Sequence, residues 1–210
     1  MAGLLSPEGK VSSVLSTLGD LFILNVLTIL CSLPIFTFGA AFSSMYQIVL
    51  KIVKKEEGHI VPAYFAAFRE NFRKSTIIWL IGGGISFFIA FDIYALSKSS
   101  FSFSLQYRIL LAVLLFFVMM FTFFALVTAS YFENTLKNTI VNGMKFCVIH
   151  ILISILMFAL TAAPFAGLYL TFRIFPLLVL LGFSGPAFLC GLYFADLFKK
   201  YEPKEENDEI

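Results

Sequence analysis

An all-α, polytopic transmembrane bundle is the fold class this sequence predicts, and three observations carry that reading. The 210 residues are 60% hydrophobic and only 13% charged, with a mean hydropathy of +0.92. A soluble domain is about 45–50% apolar and about 25% charged. The few charges are clustered, so they could not coat a soluble core. The apolar runs are continuous and recur at lengths near the roughly 20 residues that cross hydrocarbon. Continuous runs fit helices, whereas a barrel would alternate.

Taken in order, residues 1–17 are mildly amphipathic, with Val11, Val14, Leu15 and Leu18 at helical spacing after Ser6-Pro7-Glu8. They read as a lead-in helix. Residues 18–53 would make a straight helix of about 54 Å, too long for a hydrocarbon layer about 30 Å thick. Pro34 and Gly39 bracket a break. The expected form is a hairpin of helices at about 19–33 and 40–54, with Gly39, Ala40, Ala41, Ser43 and Ser44 allowing close packing. The alternative is one span followed by an amphipathic helix leaving the membrane. Cleavage of the first run as a signal peptide is not expected, because Asn25 interrupts it and Phe38 stands where a small residue is needed.

A charged island follows, Lys51 to Trp79, holding Lys51, Lys54, Lys55, Arg69, Arg73 and Lys74 against Glu56, Glu57 and Glu70. Within it, residues 62–74 read as a short interfacial helix. Pro62 suits its first turn. Tyr64, Phe65, Phe68 and Phe72 fall on one side, and Arg69, Glu70, Arg73 and Lys74 on the other. Spans are then expected at 75–97, 108–131, 146–170 and 174–198, with a polar connection at 132–145. The total is six membrane helices, or five if the first block is a single span. Residues 1–198 form one integral membrane domain, and 199–210 a charged tail.

The cations orient the chain. With Lys51–Lys74 in the cytoplasm, only Lys98, Arg108 and Arg173 fall outside. Both termini are then cytoplasmic in the six-helix arrangement, whereas five spans would leave the N-terminus outside.

Few residues suggest chemistry. Cys31, Cys147 and Cys190 are scattered in apolar runs and form no disulfide or metal pattern. HExxH, GxSxG, paired CxxC and phosphate-loop motifs are absent, and Gly82-Gly83-Gly84 lies in a span without a following Lys-Ser/Thr. No catalytic, cofactor or metal residues are expected, and no basic–aromatic tract invites nucleic acid. The intramembrane polar candidates are Asn25, Asp92, Arg108 and His150. Asn25 should seek a partner across helices. Asp92 and Arg108 should approach each other near the outer face, unless Asp92 is simply a snorkelled carboxylate. The candidate contact surface, to lipid headgroups or a partner, is Tyr64, Phe65, Phe68, Arg69, Phe72, Arg73 and Lys74.

The marks Gly19-Asp20, Asn25, Leu33-Pro34, Thr37-x-Gly39-Ala40, Tyr46, Glu57-Gly58 and Phe68-x-x-Asn71-Phe72 resemble the YesL-like family of bacterial integral membrane proteins. The resemblance is most specific over residues 18–80. It implies a multi-pass protein of the bacterial cell membrane, of unknown activity, associated with carbohydrate uptake and with sugar ABC importer subunits as partners. No functional residues carry over. The chain lacks the cytoplasmic coupling loop of importer permeases, so an accessory or regulatory role is expected. A small carrier or channel for a neutral solute is the alternative.

Overall fold

A computed structural model describes residues 10–56, 58–98, 105–132, 135–170 and 180–199. They form α1 (Lys10–Ser32), a 3-10 turn (Ile35–Thr37), α2 (Phe38–Val53), α3 (Ile60–Lys98), α4 (Leu105–Tyr131), α5 (Leu136–Ile149), α6 (Ile151–Leu170) and α7 (Ser184–Lys199). No strand occurs among the described residues. Val14–Ser32, Ile35–Val53, Ile60–Ser97 and Leu105–Tyr131 are each long and apolar enough to cross a membrane. The α5–α6 pair, bent by 106°, makes a fifth if it is one broken span. The described residues thus supply four or five candidate membrane-crossing helices, compatible with a multi-pass membrane protein.

The predicted break in the first block is present. Thr37 closes it: its hydroxyl donates to the carbonyls of Cys31 at 2.6 Å and Pro34 at 2.7 Å. A proline followed by one turn of 3-10 helix gives a compact elbow between α1 and α2.

Two expectations are corrected. There is no separate helix at 62–74, because α3 runs unbroken through 39 residues. The change from charged to apolar composition near Ser75 resembles a boundary, but no backbone breaker accompanies it. The break falls earlier, before Ile60, and Pro62 sits in the first turn of α3. The count of six membrane helices is not reached among the described residues, which supply four or five. Most of the expected polar connection at 132–145 is helical and belongs to α5. The last predicted span, 174–198, falls partly outside the described residues. The helix described there, α7, has 16 residues and measures about 24 Å.

α2 is the centre of the molecule and packs on α1, α3, α4 and α7. Gly39 and Gly191 make two of those approaches. A Cβ on Gly39 would lie 2.5 Å from the Ser75 carbonyl oxygen and from Trp79 Cβ, and one on Gly191 would lie 2.7 Å from Val49. Lipid tails are as apolar as leucine, so packing rather than hydrophobic transfer holds such helices together. Small residues let the backbones close in. Above them Phe42, Tyr46, Phe123, Phe124 and Phe194 interlock at ring separations of 5.0–6.2 Å.

Candidate functional site

A polar stripe winds down α2: Ser43, Gln47, Lys51 and Lys54 recur roughly every helical turn. Ser43 is spent on structure, donating to the Leu126 carbonyl on α4 at 3.1 Å. Below it the stripe opens into a cleft between α2, α3 and α4 with two lobes. The larger, about 150 Å³, is lined by Gln47, Leu50, Lys51, Lys54, Glu56, Ser130 and Tyr131. The smaller, about 90 Å³, is reached across Gln47, Ser130 and Tyr131 and adds Glu70, Asn71 and Lys74 from α3.

Hydrogen bonds fix the wall between the lobes. The Asn71 amide donates to Gln47 Oε1 and to the Ala67 carbonyl, 3.0 Å away. Gln47 Nε2 in turn donates to Glu70 at 3.4 Å. At the mouth, Lys54 Nζ donates to the Tyr131 hydroxyl at 3.0 Å and lies 4.8 Å from the centre of its ring. The end of α2 holds Lys54 there. Lys55 takes a left-handed conformation, φ 57°. The amides of Lys55 and Glu56 then reach back to the carbonyls of Ile52 at 3.1 Å and Lys51 at 3.0 Å, a helix stop of the Schellman type. The site therefore offers ammonium groups, amides, two carboxylates and an aromatic face. That mixture can bind a polar solute or headgroup. It contains no nucleophile paired with a base, and no cluster of metal-ligating residues occurs among the described residues.

The sequence-predicted residues are dispersed. Asn25, fully buried, does find a partner across helices: its Oδ1 accepts the backbone N–H of Phe183 at 2.8 Å and of Ser184 at 3.1 Å. It caps the start of α7. Asp92 is exposed on α3, and no ion pair joins it to Arg108, whose Nε is buried without a hydrogen-bond partner. His150 sits at the α5–α6 bend with its Nε2 likewise buried and without a hydrogen-bond partner. Tyr64 belongs to the core rather than to a contact surface. It is fully buried, with its hydroxyl 3.4 Å from the Ala41 carbonyl. Phe65, Arg69, Phe72 and Arg73 are exposed, Phe68 is half-buried, and Lys74 turns into the smaller lobe.

Residues 21–93 match the family model of DUF624, a protein family of unknown function. The match covers 73 of the 210 residues, so that segment is similar to DUF624. It agrees with the YesL-like resemblance over the same stretch. No curated protein and no solved structure matches the chain. The DUF624 segment contains most of α1, the elbow, α2 and most of α3, so it supplies two of the three walls of the cleft. It also contains Asn25, Thr37, Gly39, Tyr46 and Asn71, the resemblance positions that make the inter-helix contacts described above.

Sequence reasoning misses Gln47, Lys54, Ser130 and Tyr131 as site residues. A signal exists for the α2 pair, since Gln47 and Lys54 continue the polar stripe. Ser130 and Tyr131 carry no local signal. They enter the site only because α4 packs on α2.

Proposed function

We propose that this protein is a non-enzymatic accessory or regulatory component of a carbohydrate uptake system in a bacterial cell membrane, acting through the cleft at its charged end. The observation that carries this reading is the cleft itself. It is small, it presents Gln47, Asn71, Glu56, Glu70 and three lysines, and it lies where the cations cluster. Such a site suits recognition of a polar group at the membrane surface better than passage of a solute. The carbohydrate association rests on the family resemblance. Orientation rests on cation bias, which puts the cleft and both termini in the cytoplasm. Exposed Arg69 and Arg73, one turn apart on α3, extend the cationic surface towards an importer subunit. The test is affinity recovery of the full chain from native membranes of sugar-grown cells. Importer subunits should be recovered with the parent and lost with the Arg69→Glu/Arg73→Glu variant. Equal recovery with both, or none with either, overturns the proposal.

One observation favours a second reading, a carrier for a neutral solute. α7 begins inside the protein, and broken helices that start at depth are where carriers bind substrate. Here the first amides of α7 are occupied by Asn25. Saturable flux of a neutral solute in proteoliposomes of the parent chain would establish the carrier, and its absence would rule this reading out.

A further inference from the structure

The elbow meets α3 at Trp79, midway along its 39 residues. Trp79 is the chain's single tryptophan. Its indole N–H donates to the Ile35 carbonyl at 2.8 Å, and its ring lies 4.6 Å from that of Phe38, tilted by 41°. Beyond this point α3 and α4 continue together without α1 or α2. Ile85, Phe87, Phe88, Phe91 and Tyr94 stand exposed on one, and Ile109, Leu110, Val113 and Leu114 on the other. The rise from Trp79 to the end of α3 is about 28 Å, close to the roughly 30 Å of a hydrocarbon layer. On the near side of Trp79, exposed Arg69, Glu70 and Arg73 require water. Tryptophan favours the membrane–water interface. These facts put one hydrocarbon boundary near Trp79, and the elbow lies at that boundary rather than at the far one. The elbow is nonetheless apolar and open: Leu33 is 73% exposed, Ile35 80% and Phe36 52%.

We infer that α1, the elbow and α2 form a re-entrant hairpin. Its Leu33-Pro34-Ile35-Phe36 tip inserts among the acyl chains of the leaflet on the charged side, and the chain returns to that same side. α2 fits this placement, since its 16 residues span only about 24 Å. The occupant of the exposed tip is lipid, because water would meet four consecutive apolar residues there. The hairpin then adds no crossing, and both of its ends share one side of the membrane.

Impermeant maleimide labelling of Ile35→Cys and Ser97→Cys in the full chain tests this, using sealed vesicles of uniform orientation and the parent chain as the blank. Both variants must keep the parent's melting temperature in detergent. Ser97→Cys should react from one side only. Ile35→Cys should not react from that side, but only from the opposite side or after detergent is added. A hairpin that crosses fully would put both thiols on the same side, and labelling of both from there overturns the inference. Failure of Ser97→Cys to react from either side also overturns it, because α3 would then not end at the far surface.

Discussion

Asn25 and Ser184 are joined through the interior of the helix bundle: the Asn25 side-chain oxygen accepts the amide that opens α7, at 3.1 Å, and the preceding amide of Phe183 at 2.8 Å. Asn25→Ala leaves both amides without this acceptor. A lost cap costs about 0.5–2 kcal/mol, and a buried unpaired donor about 1–3 kcal/mol. The melting temperature in detergent should fall by several degrees. An unchanged midpoint would show that the bond is dispensable.

The glycines predict a graded series. Gly39→Ala presses a methyl group into the Ser75 backbone, and Gly143→Ala puts one 2.7 Å from Ala125 Cα. Neither neighbour can rotate away, so each change should cost about 1–3 kcal/mol. At Gly84 a methyl group would meet nothing within 4 Å. Gly84→Ala should be neutral or slightly stabilising, since alanine is the better helix former by about 1 kcal/mol. Thermal unfolding of the three variants in one detergent gives the ranking, and equal losses would contradict the close contacts.

Trp79→Phe keeps a ring beside Phe38 and removes the indole donor to Ile35. The expected cost is about 1 kcal/mol, concentrated at the elbow. Hydrogen exchange over residues 31–38 should speed up while that of α4 stays unchanged. Uniform acceleration would mean that the bond does not act locally.

Lys55→Gly should stabilise the chain. Lysine in the left-handed region costs roughly 1–2 kcal/mol, and glycine accepts that conformation without a steric penalty, though it loses more freedom on folding. A net gain of about 0.5–1 kcal/mol is expected, read as a higher melting temperature. A loss would mean that the lysine side chain contributes more than its backbone costs.

Much of this architecture is legible in the sequence because the signals are local. Pro34 and Gly39 mark the elbow, and Asn25 in an apolar run announces a partner across helices. What is not legible depends on distance along the chain. The identity of Asn25's partner, 158 residues away, follows from no pattern near either end. The continuity of α3 is hidden because Arg73-Lys74 beside an apolar run suggests a boundary, whereas only a backbone breaker makes one. Its place in an aromatic stripe assigns Tyr64 to a surface. The crossing of α1 and α2 over α3 decides instead that it is core.

The Asn25 cap also bears on how the protein is made. Synthesis proceeds at about 5–20 residues per second, so Asn25 is made about ten to thirty seconds before the amides it will hold. During that interval the nascent chain carries an unmatched polar group in its first helix, a mark of incompleteness that disappears only when α7 arrives. A chain truncated before Phe183 should therefore be cleared faster by membrane proteases than the same truncation carrying Asn25→Leu, as followed by pulse–chase. On that outcome, the residue that caps α7 would also register whether α7 has been made.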